Sequence, residues 1–521
     1  MSDQQPPPST DDKIENAGAP KEVEQREPLL VPGTTEDEQK AKIAVPDGHW
    51  TKSLIFAVLA AAFGSSFQFG YHIGCINLPA DLIKQWFSTQ MIGSTNDEVN
   101  SRWGIAVGIF AFGGIFGGYF VGKVAMKFGR KRALLYNNAL AIIAGALMAG
   151  AKFVGNYWIF ILGRFIIGLN SGLNSGLAPM YLTEISPANL RGAIGSFAQL
   201  FVTIAILFSQ ILGLPFLLGT VDRWPLIFAF TFVPVIVQLC ALPFCAETPA
   251  FNMAQGKRDQ AEKDLKKLRD REDVSDELNL IHEEGVKSSS SAPTKVKDIY
   301  GTIIPWPLIL ALFMMVSQQL SGINAAMFYS TAIFKGAGLK DQWPNYATIA
   351  MGAINVLMTV VSVYLVEHPR FGRRTLHIAG MIGMCFSSAM IAISMLVAKL
   401  IEFVSFFSII FVLLFVVSFA TGPGSIPWFY VNELFQSNLR GVMSSYAVVV
   451  NWICVVVVAT FFPIIDGILH EYSFFVFTAL LLIFILFAFK FLPETKNKTL
   501  EQINEEMNNR RGVKTKTNNP A

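Results

Sequence analysis

The sequence predicts an all-α membrane protein: twelve transmembrane helices in two parallel six-helix repeats, with short cytoplasmic helices. Three observations carry that prediction. Apolar residues make up 52% of the 521 positions and charged residues only 15%, where a soluble chain carries about a quarter. Twelve apolar runs follow one another, at 54–78, 103–126, 133–151, 158–182, 193–214, 224–245, 303–334, 346–366, 375–398, 402–430, 441–464 and 472–492. Each is about the 20 residues that cross a bilayer as a helix; strands of a closed barrel would be shorter and alternate in polarity. The third observation is an internal repeat.

A charged segment, 247–300, separates a first six-span half (51–246) from a second (301–492), with polar tails at 1–50 and 493–521. The first tail is Pro-rich and charged, which predicts disorder. KFGRKRALL (127–135) returns as RFGRRTLHI (370–378), 243 residues later. Glu184 precedes Arg191 in EISPANLRG, and Glu433 precedes Arg440 in ELFQSNLRG, 249 residues on; Glu247 of AETP returns as Glu494 of PETK after 247. Such a duplication predicts halves that enclose a substrate site near the midplane. Inside the linker, DQAEKDLKKLR (259–269) places Ala261, Leu265 and Leu268 on one helical face, the pattern of an amphipathic helix.

Lys and Arg concentrate in alternate loops, at Lys127, Arg130, Lys131, Arg132, Arg191, Arg370, Arg373, Arg374, Arg440 and through the linker. The positive-inside rule puts those loops, and both termini, in the cytoplasm. Cys75, Cys240, Cys245, Cys385 and Cys454 all fall in spans without metal-ligand spacing, so neither a disulfide framework nor a metal site is expected. No G-x-x-x-x-G-K-[ST] stretch and no nucleophile–base cluster occurs, which argues against a nucleotide-driven pump and against an enzyme. No cofactor is expected. The net charge of +3 reflects membrane topology rather than nucleic-acid binding; the lipid bilayer is the expected surrounding, and no obligatory protein partner is evident.

The motifs GRKR and GRR, GRFIIG (163–168), EISPANLRG, QQLSGINAAMFYST (318–331), GPGSIPWF (422–429), NELF (432–435) and PETK, in this order from about 54 to 499, resemble the sugar porters of the major facilitator superfamily, and within them the facilitative glucose transporters of animals. The resemblance implies the major facilitator fold and a plasma-membrane uniporter that carries hexose, D-glucose first, down its gradient by alternating access. Two readings stay beside it: a proton-coupled sugar or polyol symporter, and a sugar sensor that does not transport.

Hexose hydroxyls donate and accept hydrogen bonds, as carboxamides do. Gln199, Gln318, Gln319, Asn324, Asn355 and Asn451 lie inside spans, where an amide facing lipid is costly, and all six match sugar-contacting positions of the family. An amide in a span can also serve only to bridge helices. Trp428 matches the family's cavity tryptophan, typical of glucose carriers; Phe328, Trp452 and Asn77 are lesser candidates along the substrate path. Gly422, Pro423, Gly424 and Pro427 are expected to interrupt their helix. Two positions depart from the family pattern: Ala420 stands where an acid is expected, and Ala250 where an arginine is.

Arg130, Glu184, Arg191, Glu247, Glu367, Arg373, Glu433, Arg440 and Glu494 cluster at cytoplasmic helix ends. They read as gate salt bridges between the halves, weak enough to break in each cycle. His72, in FQFGYHIGCINLP (67–79), occupies the place where proton-coupled relatives carry an aspartate that works with the arginine matching Arg164. The expectation is a non-coupling polar pair: His72 stays neutral and accepts a hydrogen bond from Arg164, or it serves only helix packing.

Overall fold

The computed structural model describes residues 48–512 except 92, 290–304, 337, 399, 400, 402, 403, 436 and 497. The disordered tail expected over 1–50 therefore lies outside the described residues up to 47, as do the end of the linker and the chain past 512. Among the described residues every regular element is helical.

Ten stretches are long and apolar enough to cross a membrane. One of them, Leu439–Phe491, takes in two helices. Tyr157–Ile185, less apolar because it carries Asn170, Ser171, Asn174 and Ser175, completes the twelve. The spans are α1 (Lys52–Gly74), α2 (Asn96–Phe128), α3 (Arg130–Val154), α4 (Tyr157–Ile185), α5 (Arg191–Leu212) and α6 (Trp224–Phe244) in the first half. The second half holds α7 (306–336), α8 (Trp343–Glu367), α9 (Arg373–Ala398), α10 (Ser405–Thr421 and Ile426–Glu433), α11 (Ser437–Leu469) and α12 (Ser473–Phe491).

Local signals set the ends. Thr51 caps α1 by accepting from the Leu54 N–H at 3.1 Å, and Thr95 with Glu98 forms a reciprocal capping box on α2, satisfying N–H groups that a helix start leaves open. The apolar run 54–78 loses its helix at Gly74, and the Cys75–Pro79 turn carries Asn77 beyond the span. Pro79 has no N–H to continue the ladder. In the linker, the expected helix forms over Arg258–Arg269 with Ala261, Leu265 and Leu268 buried.

Packing inside the first half depends on glycine. A Cβ on Gly168 of α4 would stand 2.1 Å from the Phe110 carbonyl oxygen of α2, and one on Gly172 would stand 2.3 Å from that of Gly114. Only bare Cα atoms let these backbones touch, the device by which helices associate in lipid. Large apolar side chains such as Tyr119, Ile143, Val360 and Leu486 remain exposed on the outside, as a lipid-facing surface requires.

The sequence repeat is repeated in the contacts. Glu247 accepts from the N–H groups of Arg130 (3.1 Å) and Lys131 (3.0 Å) at the start of α3. Glu494 accepts from those of Arg373 (2.9 Å) and Arg374 (3.2 Å) at the start of α9. A carboxylate at a helix N-terminus meets open donors and the positive end of the dipole. Tyr181 donates to the Ala246 carbonyl and Tyr430 to the Pro493 carbonyl, both at 2.8 Å.

Candidate functional site

Two interrupted helices build the centre of the molecule. In α7 the α-helix ends at Gln318 and a π-helical turn runs over Gln319–Ile323. Gly322 sits there at φ +98°, a conformation that favours glycine, and a Cβ would also lie 2.7 Å from the Phe477 ring. The turn brings Gln318, Gln319 and Asn324 together. In α10 the helix stops at Thr421 and resumes at Ile426. That gap frees the carbonyls of Pro423 and Gly424, and Gln318 Nε2 donates to both at 2.9 Å.

From this anchor a chain of amides extends. Asn451 of α11 donates to Gln318 Oε1 at 3.0 Å. Gln319 Nε2 donates to Asn451 Oδ1 at 3.1 Å and to Gln318 Oε1 at 3.2 Å, and Asn324 Nδ2 donates to Gln319 Oε1. Gln318, Gln319 and Asn324 border a cavity of about 60 Å³ between the halves; Asn355 of α8 and Trp428 of α10 border it too, and Gln199 of α5 faces them with Phe69 and Ile73 of α1. Asn451 stands behind this wall. Asn355 Oδ1 is buried without a hydrogen-bond partner among the described residues.

The lesser candidates divide. Trp452 turns away from the cavity: it packs against Phe69 and Phe110, donates from Nε1 to Ser175 Oγ at 3.2 Å, and covers bare Gly114 across the half–half boundary. Asn77 donates to the Met327 carbonyl (3.3 Å) and to Ser330 Oγ (3.1 Å), joining the halves beyond the end of α1. The Phe328 side chain lies outside the described residues.

The charged clusters differ from expectation in their connectivity. Arg130–Glu184 (2.8 Å) lies within the first half, and Arg373–Glu433 (3.6 Å) with Arg373–Glu367 (4.0 Å) within the second. Glu247 and Glu494 are taken up by N–H groups of their own halves, and burial pushes the Glu247 carboxyl above the usual carboxylate range against the pull of the Lys131 and Thr248 N–H groups. Arg440 donates to the carbonyls of Asn432 (3.0 Å) and Phe435 (3.4 Å), while Arg191 is exposed. Across the boundary on this basic face, glycine backbone of the first half meets side chains of the second. The Gly122 N–H donates to Ser445 Oγ at 2.7 Å, and a Cβ on Gly192 would stand 2.2 Å from Glu367 Oε1.

His72 also differs. Arg164 donates to the His72 carbonyl at 3.2 Å and to that of Ala106 at 3.3 Å, with its guanidinium over the Phe110 ring. The imidazole instead pairs Nε2 with Thr231 Oγ1 at 3.0 Å. Arg164 is held by carbonyl dipoles and a ring face rather than by the imidazole.

Sequence reasoning passed over Gln210 of α5, 1% exposed, whose Oε1 has no partner among the described residues. It lies eleven residues after Gln199, three helical turns on the same face. A second amide network was also missed: Asn174 donates to Gln68 Oε1 (3.0 Å), Asn138 to Gln238 Oε1 (2.8 Å) and Gln238 to Ser65 Oγ (2.7 Å).

Comparison with known proteins agrees with this architecture. "Facilitated glucose transporter protein 1" of Caenorhabditis elegans is 51% identical over 492 residues, spanning 92% of this chain and 95% of that protein. "Solute carrier family 2, facilitated glucose transporter member 4" of Mus musculus is 42% identical over 464 residues, 87% of this chain and 90% of its own. Among solved structures, the proton:xylose symporter XylE of the major facilitator superfamily, bound to 6-bromo-6-deoxy-D-glucose, superposes with a TM-score of 0.76 at 25% identity over 87% of this chain and 99% of that one. The model of the family described as "Sugar (and other) transporter" matches residues 57–507, and the chain belongs to that family of multi-pass membrane transporters.

Proposed function

We propose that this protein is a facilitative carrier of hexose, D-glucose foremost, that works by alternating access in the plasma membrane with both termini in the cytoplasm. The observation that carries the reading is the amide chain Asn451–Gln318–Gln319–Asn324 beside the cavity between the halves. It offers donors and acceptors without net charge, which suits a neutral polyhydroxyl ligand. Trp428 supplies an apolar face for the ring. Its relatives named as facilitated glucose transporters support the same substrate class.

The cavity is far below the roughly 300 Å³ at which small-ligand pockets begin, so its walls part to admit sugar. Because helix packing is bistable rather than continuously deformable, one seam opens while the other stays shut. The basic face supplies one seam, through Gly122–Ser445 and Gly192–Glu367; Asn77 with Met327 and Ser330 supplies the other. The basic face is cytoplasmic by the positive-inside rule.

Energy coupling to protons needs a titratable group that changes partners. Arg164 is held by two carbonyls and His72 by Thr231, which supports uniport. The test is uptake of labelled D-glucose by liposomes carrying the purified protein, with galactose, fructose and myo-inositol as competitors. Equilibration to equal concentrations, unchanged by an imposed pH gradient, is the expected result. Accumulation driven by the gradient would make it a symporter, and sugar binding without uptake would make it a sensor.

A further inference from the structure

Gln210 presents an unusual combination. It is 1% exposed, its Oε1 is buried without a partner among the described residues, and it stands on the boundary between the halves. Across that boundary lies Gly352 of α8, so bare that a Cβ there would be 2.5 Å from Gln210 Oε1. One turn further along α8 comes Asn355, whose Oδ1 is the second unpaired amide oxygen at this seam and which borders the cavity. A buried unpaired acceptor raises the energy of the closed seam. On α8 the Thr348 hydroxyl, one turn before Gly352, is engaged with Ser330 and the Pro344 carbonyl.

We propose that Gln210 and Asn355 form an outer hexose subsite, met by the sugar before it reaches the amide chain of α7. As α5 and α8 part on the face opposite the basic one, both amide oxygens become available, and two sugar hydroxyls donate to them. Gly352 keeps the gap free of side chain, so the ring passes close to the α8 backbone. The subsite explains why a polar side chain is buried here without a protein partner: its partner is the ligand, and it exists only in the outward-open state. The inference rests on the hexose-transport reading above.

The test uses the full chain in liposomes of defined orientation, with labelled D-glucose exchange measured against saturating unlabelled glucose on the far side. The outer half-saturation concentration is measured separately from the inner. Gln210→Leu removes the acceptor, and the outer value should rise about fivefold, the worth of one neutral hydrogen bond, while the inner value moves by less than twofold. Gln210→Glu keeps an acceptor at the same reach and should stay closer to wild type than Gln210→Leu. If Gln210→Leu fails to insert, Gln210→Asn, too short to reach, should give the same one-sided rise. Equal changes at both faces, or an unchanged outer value, would overturn the subsite while leaving transport intact. Absence of wild-type uptake would overturn the transport reading, and the subsite with it.

Discussion

Gln318 holds Pro423: its Nε2 lies 2.9 Å from the Pro423 carbonyl oxygen that the interruption of α10 sets free. One side chain thereby closes the backbone of one broken helix while its Oε1 accepts from Gln319 and Asn451. Removing it leaves several polar groups short of a partner at once. Gln318→Leu should lower the kcat/KM of glucose uptake by roughly 5- to 150-fold, the equivalent of about 1–3 kcal/mol for orphaned buried groups. Gln199→Leu, at a residue that faces the cavity without belonging to that chain, should raise KM several-fold with less effect on kcat. Initial-rate uptake on the two variants separates these outcomes.

The twin carboxylate caps make the halves comparable. Glu247→Ala removes the acceptor of the Arg130, Lys131 and Thr248 N–H groups, and Glu494→Ala that of Arg373, Arg374, Thr495 and Lys496. Each should destabilise the detergent-solubilised protein by about 1–2 kcal/mol, the scale of a lost helix cap. Because the two sets share no partner, the double variant should show the sum of the two melting shifts.

Acid should release the helix at Leu500–Arg511. Burial alone would raise the Glu506 carboxyl, but hydrogen bonds from Lys498, Arg510 and the Glu494 N–H hold it below the usual carboxylate range. A carboxyl lowered in the folded state stabilises above the ordinary value of about 4.3, and that stabilisation is lost as pH falls through the lowered one. Protection of residues 500–511 against hydrogen exchange, taken relative to the intrinsic rate at each pH, should be flat from neutral pH down to about 5 and fall below about 4. Glu506→Gln should start less protected and lack the acid step.

His72→Asn should leave uptake and its pH profile near wild type, because the imidazole contacts Thr231 rather than Arg164. Loss of the Thr231 contact should lower thermal stability by about 1 kcal/mol. Loss in the variant of a wild-type pH dependence of uptake between pH 5.5 and 7.5 would show that the imidazole does handle a proton.

Span number, half boundary and repeat were legible because hydropathy and offset are one-dimensional signals: KFGRKRALL and RFGRRTLHI mark α3 and α9 in the chain and their caps in space. What could not be read was which partner each polar group would choose. The rule that amides avoid lipid selects Gln68, Asn138, Asn174 and Gln238 as readily as Gln318, yet these satisfy one another inside the first half. The same limit governs the charges. Glu247 and Arg130 attract each other at any plausible geometry, but only the fold shows the carboxylate spent on helix N-termini within its own half, with glycine backbones left to close the boundary. Trp452 has the composition of a cavity residue and the position of a packing one, because three aromatic or hydroxyl neighbours lie on its other side.

The amide chain beside the cavity is drawn from one half alone: Gln318, Gln319, Asn324 and Asn451 all belong to the second, and Gln199 is the amide that answers from the first. That lopsidedness fixes the ligand's frame of reference. Cargo anchored to the second half stays still relative to it while the first half swings past, so the few polar contacts on the first half have to be renegotiated in each turnover. Substitutions of the second-half anchors should then weaken binding alike from both sides of the membrane, and those on the facing surface of the first should weaken it unequally.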